Sequence, residues 1–227
     1  MERTTSHAQL PRQLDRLEKL YGAPKQPPPR GALEWILWEN AAYLVPYEKR
    51  LACFRALKQR AGKAAAGILR APREALLALA EQGGMQPEQR VEKWLAIATE
   101  VQEKFGGDLE AVLELPLPKA RAALKKFPGI GAPGAEKILL FTGVHDLFAL
   151  ESNGLRALVR LGYAREEKSY ASTYRALRSA LAPLEARGAQ WLQRAHFLLQ
   201  RHGRELCQSS APLCDRCPLS DACPAAE

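Results

Sequence analysis

Several things are scarce in these 227 residues, and each scarcity excludes a class of protein. No apolar run approaches the ~18 residues that a membrane span requires, so the sequence predicts no membrane partner. Valine and isoleucine are few and strand-like alternation is absent, which argues against a sheet fold. The opening residues, Met1-Glu2-Arg3-Thr4-Thr5, contain no apolar secretory segment. A reducing, cytoplasmic setting is therefore expected, and a disulfide framework is disfavoured. There is no internal repeat, and no low-complexity tract beyond Pro27-Pro28-Pro29.

Leu, Ala, Glu, Arg, Lys and Gln dominate, which predicts an all-α chain. Gly and Pro punctuate it. Helices are expected over residues 10–20, 32–42, 46–59, 72–81, 87–105, 109–114, 118–126, 133–142, 154–161, 170–181 and 189–201. The length allows one large core or two small ones. The formal charge of +8 is unevenly spread. Residues 1–70 hold 13 Lys/Arg against 6 Asp/Glu, residues 71–150 hold 9 against 11, and residues 151–227 hold 11 against 8. The basic excess thus sits at both ends, where it suits a polyanion such as duplex DNA. A well-solvated alkaline protein with no such partner would show the same balance.

Five cysteines are present, and four fall together as Cys207, Cys214, Cys217 and Cys223. Four thiolates suit tetrahedral zinc. Zinc ribbons, however, usually join two short Cys-x-x-Cys knuckles, and here only Cys214 and Cys217 make one. The wider flanking spacings favour a larger object, an iron–sulfur cube. Cys53, beside Leu51 and Phe54, reads as a small buried hydrophobe.

A second motif is the turn Phe127-Pro128-Gly129-Ile130-Gly131, flanked by helices, with Lys125 and Lys126 ahead of it. Glycines allow its N–H groups to converge on an anion, and the following helix adds its positive N-terminus. Ile130 is placed to anchor the turn. This is the physics of a helix–hairpin–helix phosphate clamp; an ordinary corner needing glycine is the simpler reading.

Hairpin and cysteines together resemble the endonuclease III / mismatch adenine glycosylase family of base-excision DNA glycosylases. The hairpin stands where the family carries L-P-G-V-G. Ala195-His196, then His202-Gly203-Arg204-Glu205-Leu206-Cys207, match the family's A-H and H-G-R-x-x-C at the same spacing, and the cysteine spacing matches its four-iron four-sulfur site. The resemblance covers most of the chain. It implies a two-domain, all-α helix–hairpin–helix fold: a six-helix barrel domain over residues 31–145, and an iron–sulfur cluster domain built from residues 1–30 and 146–227, with the substrate cleft between them. It also implies a monomer that binds double-stranded DNA containing a damaged base or abasic site, flips the base and cleaves its N-glycosidic bond, in the cytoplasm and in association with the nucleoid.

The family's chemistry is only partly present. Bifunctional members carry a nucleophilic lysine in G-V-G-R-K, and the matching position here is Pro133. Lys137, one helical turn on, reads as a surface or phosphate-contacting lysine. AP-lyase activity is therefore expected to be weak or absent. The family's catalytic aspartate position holds Glu151, with Asn153 and Arg156 as in the adenine branch's L-D-G-N-x-x-R, and Asn153 is expected to contact DNA. Glu151 is the expected catalytic carboxylate; as a plain helix N-terminal acid it would only favour the dipole.

Glu39, in an otherwise apolar helix, is a second candidate acid. Asn40 stands near the family's gap-filling glutamine, Trp38 and Tyr43 are candidates for base stacking, and Met85 stands where the family wedges a leucine-like side chain into DNA. Trp35 reads as core. Because the chain ends four residues after Cys223, a mismatch adenine substrate is the less expected one. The other reading is a damage-sensing DNA-binding protein on the same scaffold, catalytically impaired.

Overall fold

The computed structural model describes residues 5–25, 27–43, 45–62 and 64–226. In chain order the α-helices are α1 (Leu10–Tyr21), α2 (Gly31–Glu39), α3 (Tyr47–Ala61), α4 (Ala65–Arg70), α5 (Arg73–Glu81), α6 (Pro87–Phe105), α7 (Leu117–Leu124), α8 (Ala132–Phe141), α9 (Ser152–Arg160), α10 (Tyr170–Leu181) and α11 (Ala189–Glu205). No strand forms among the described residues; one isolated parallel bridge joins Tyr43 to Gly84. No helix among them is long and apolar enough to cross a membrane. Two compact units result, Pro27–Val144 and the pair Met1–Gln26 with His145–Glu227.

In the unit Pro27–Val144, α2 is the core helix. Ala32 to Trp38 are buried without a break, as expected of a helix apolar on all sides. α3, α6 and α8 pack on it. Trp35 meets Phe141 at 4.8 Å between ring centroids, and Trp38 sits edge-on to Phe54 at 5.4 Å. α6 contributes Val91, Trp94, Ile97, Ala98 and Val101, spaced three and four apart on one face. Each fully buried aliphatic side chain of this set contributes about 1.5–3 kcal/mol.

α2 ends at Glu39, short of the predicted residue 42: Asn40 leaves helical geometry at φ −99°, ψ 4°, and its Nδ2 turns back to the Ile36 carbonyl at 3.0 Å. The helix expected over 109–114 is only a 3-10 turn at Glu110–Val112. α4, a short helix in an Ala-rich segment, was not anticipated.

In the other unit, α11 packs along α9 and against α1. α1 buries Leu10, Gln13, Leu14 and Leu17 on one stripe. Arg194 of α11 bonds Asp15 and Glu18 of α1 at 2.8 and 2.7 Å. The chain past α11 closes as 3-10 turns at Cys214–Arg216 and Ser220–Ala222.

Candidate functional site

The hairpin joins α7 to α8. Gly129 has φ +73°, and a Cβ there would stand 2.7 Å from Asn40 Oδ1, so only glycine fits. Ile130 is buried and its N–H closes the turn on the Phe127 carbonyl at 3.1 Å. It anchors the turn from inside and offers little to a ligand. Arg121 of α7 pairs with the buried Glu136 of α8 at 2.7 Å, tying the two helices. The outward surface consists of exposed Lys125, Lys126, Gly129 and Gly131. The α8 first-turn amides have no helical acceptor, which leaves an anion-binding end; Pro133 supplies none of them.

Asn40 departs from the expected gap-filling role in its placement. It is 8% exposed, and its Nδ2 also donates to the Pro128 carbonyl at 2.9 Å, while the Trp94 indole N–H donates to its backbone carbonyl at 3.1 Å. It is a strut between α2 and the hairpin. Trp38 is likewise core, not a stacking surface: it is buried between Phe54 and Tyr47, with Arg50 over its ring at 5.6 Å.

Lys137 also differs from expectation. Its Nζ lies 2.6 Å from Glu39 Oε1 with only 12% of its side chain exposed, and Arg50 approaches the same oxygen at 3.9 Å. The ammonium is held inside an ion pair and not displayed. Glu39 therefore sits between two cations.

The sequence-derived residues Glu39, Asn40, Met85 and Gly129 converge on one open pocket of about 420 Å³, together with Tyr43, Gln89, Arg90 and Lys93. Tyr43 and Met85 stand out from it at 62% and 64% exposure. The role of Arg90 was not read from the sequence. Its side chain is buried and bonds only to backbone carbonyls, an arrangement that composition and spacing do not signal.

In the other unit, Glu151 is the N-cap of α9. Its Oε1 accepts from the Gly154 N–H at 2.6 Å and its Oε2 from Asn153 Nδ2 at 2.8 Å. Asn153 Oδ1 in turn accepts from Arg156 Nη2 at 2.9 Å, and Arg156 donates to the carbonyls of Gly203 and Cys207. Asn153, expected to touch DNA, thus spends its amide on orienting Glu151. Tyr170, half-exposed at the start of α10, has its phenol pushed up to about 12, first by burial and then by the Glu151 carboxylate. That carboxylate is thus close enough to be felt by a neighbouring aromatic.

Cys207, Cys214, Cys217 and Cys223 are unpaired as disulfides and line one small, mainly apolar cavity with Leu161, Leu206 and Leu213. The Leu219 N–H donates to Cys217 Sγ at 3.4 Å and Arg160 Nη1 approaches Cys207 Sγ at 3.5 Å. Donors directed at sulfur suit thiolates carrying negative charge. Among the described residues no three of His, Cys, Asp and Glu converge on a point as one metal ion would require. Cys53 lies apart, buried, its thiol pushed up to about 11 by burial.

No family model matches the chain. Among curated proteins it is similar to endonuclease III of Sulfolobus acidocaldarius, 28% identical over 116 residues, covering 51% of this chain and 49% of the relative. It is also similar to a thymine-DNA glycosylase of Aeropyrum pernix, 24% identical over 60% of this chain and 57% of the relative. The chain spans about half the length of the curated relatives it matches. Solved structures extend the likeness to nearly the whole fold. A trapped covalent endonuclease III–DNA intermediate superposes with TM-score 0.75 at 19% identity, covering 98% of this chain and 97% of that one. A thermostable thymine-DNA glycosylase gives 0.74 at 14%, covering 96% and 97%. The fold is that of the two-domain helix–hairpin–helix glycosylases. In sequence the chain is similar, at a divergent level, to DNA glycosylases of this fold, endonuclease III among them.

Proposed function

We propose that the protein is an endonuclease III-like DNA glycosylase of base-excision repair, acting on double-stranded DNA with a damaged base and lacking significant AP-lyase activity. One contrast carries this reading: the nucleophile position is the Pro133 ring in the first turn of α8, whereas a carboxylate, Glu151, is retained and oriented. Lys137, the nearest substitute amine in sequence, is engaged by Glu39.

The division of labour follows. Exposed Lys125 and Lys126, with the amides of Gly131 and the α8 N-terminus, bind backbone phosphate without reading sequence. A base is extruded from the stack. Glu151 stabilises the oxocarbenium-like sugar as the base departs and takes a proton from the attacking water. The Gly154 and Asn153 donors fix its direction, which matters because a longer side chain has replaced the family's aspartate. Glu39, ion-paired with Lys137 at the pocket, is the second carboxylate of the reading, placed to accept a hydrogen bond from an extruded base.

The four cysteines fit a four-iron four-sulfur cluster: all four line one cavity, and N–H donors face two of the sulfurs. Cys207, Cys214, Cys217 and Cys223 would hold it, and when bound it supplies a rigid cross-link and a one-electron couple. Iron and sulfide analysis of anaerobically purified protein tests the assignment, and stoichiometric zinc in their place would overturn it. A DNA substrate also implies a cytoplasmic, nucleoid-associated location.

Single-turnover assays over duplexes bearing alkylated purines, oxidised pyrimidines and mispaired bases test the activity. Release of one of these bases, lost in Glu151→Gln, is the expected result. No release across the panel would return the protein to a DNA-binding, damage-sensing role. Efficient borohydride trapping on abasic-site DNA would refute the assignment without lyase chemistry.

A further inference from the structure

The loop between α5 and α6 is organised around one guanidinium. Arg90 is 5% exposed. Its Nη1 donates to the carbonyls of Ala80 and Gly84 at 2.6 and 3.3 Å, and its Nη2 to those of Gly83 and Met85 at 3.0 and 2.8 Å. No carboxylate pairs with it among the described residues. A buried charge satisfied only by carbonyl dipoles is costly, so the loop geometry it enforces calls for a reason.

A second strap fastens the same loop. The Tyr43 N–H donates to the Gly83 carbonyl at 3.2 Å, within the Tyr43–Gly84 bridge. A Cβ on Gly83 would stand 2.2 Å from the Ala41 carbonyl, so the two segments touch backbone to backbone. At the loop's exit, Gln86 takes φ 59°, a left-handed conformation that no other non-glycine residue adopts among the described residues. Such conformations persist where the surroundings over-determine them. The outcome is that Met85 and Tyr43, at 64% and 62% exposure, stand together on the lip of the pocket that Gly129 of the hairpin also lines.

We propose that Arg90 is a positioning residue that holds Met85, and through the Tyr43 strap Tyr43, as a pre-formed pair of apolar prongs for insertion into the base stack of duplex DNA. The inference rests on the DNA glycosylase reading and specifies how its DNA contact is built. Two large apolar side chains projecting beside a phosphate-binding hairpin match the wedge chemistry that unstacks a duplex. Ordering the loop during folding, instead of at encounter, removes that cost from binding. Phosphate contacts through the hairpin do not depend on Arg90.

The probe is a duplex containing a tetrahydrofuran abasic-site analogue with 2-aminopurine beside it, whose fluorescence rises on unstacking. Met85→Ala and Tyr43→Ala are each expected to cut the signal at saturating protein by half or more. Arg90→Lys keeps the charge but cannot span four carbonyls, and is expected to do the same while affinity for undamaged duplex stays unchanged. In a background carrying both Met85→Ala and Tyr43→Ala, Arg90→Lys is expected to add no further loss.

A wild-type signal in folded Arg90→Lys, or a further loss on adding it to the variant that lacks both prongs, overturns the role of Arg90. If Met85→Ala and Tyr43→Ala both leave the signal unchanged, the insertion reading itself fails. Should Arg90→Lys not fold by circular dichroism, Gln86→Val, whose branched side chain disfavours φ 59°, perturbs the loop at an exposed position. A reduced signal in that variant supports the pre-formed loop, and a wild-type signal rejects it.

Discussion

Replacing Asn40 with alanine separates a strut from a DNA contact. The side chain joins α2 to the hairpin through Nδ2, at 2.9 Å from the Pro128 carbonyl and 3.0 Å from that of Ile36. The Ile36 carbonyl keeps the Asn40 backbone N–H, so only the Pro128 oxygen loses its partner. Leaving one buried acceptor unsatisfied costs about 1–3 kcal/mol. Asn40→Ala should therefore destabilise the protein by about 2 kcal/mol, roughly thirtyfold in the folding equilibrium, read as a lower urea midpoint at unchanged slope.

Asn40→Asp should be worse at neutral pH, since it turns a carboxylate toward two carbonyl oxygens. Burial and repulsion raise that acid's folded pKa above its unfolded value, so the penalty grows as pH rises past about 4 and recedes on acidification. The reasoning is refuted if Asn40→Ala changes stability by less than about 0.5 kcal/mol while duplex affinity collapses. The side chain would then act on DNA.

Other consequences are more direct. Lys137→Met removes the 2.6 Å ion pair to Glu39, and should cost about 1–3 kcal/mol by thermal or urea unfolding without changing a background level of borohydride trapping. Asn153→Ala removes the donor on Glu151 Oε2 and should slow single-turnover base release, with substrate affinity little altered, because it frees the carboxylate to rotate. Cys53, buried and with its thiol held up at about 11, should resist alkylation at neutral pH until the protein unfolds, as mass mapping of labelled peptides can show.

Helical periodicity made most of the scaffold legible. The predicted spans 87–105 and 170–181 coincide with α6 and α10 because strong helix formers with a regular apolar stripe and a Pro or Ser start leave little choice. α4 escaped because a six-residue helix has too few turns to display a period. The hairpin was legible through its glycines, and the cysteines through their spacing.

Side-chain roles were less so. Asn40 and Lys137 were read as facing a ligand, but each is claimed by a partner far away in the chain, Pro128 in one case and Glu39 in the other. Trp38 is interior because α2 is surrounded, and a single helix's composition does not tell which of its faces is covered. Arg90 gave no sign at all, since its partners are carbonyl groups that every residue possesses.

That last property bears on how the chain varies. A clamp that grips main-chain oxygens is indifferent to the side chains it displays. The residue at position 85 can be exchanged without redrawing the loop, provided Arg90, the two glycines before it and the left-handed Gln86 stay. The segment is thus a replaceable tip on a fixed handle, and libraries randomised at Met85 and Tyr43 should retain folded protein at high frequency while altering which duplex lesions are engaged.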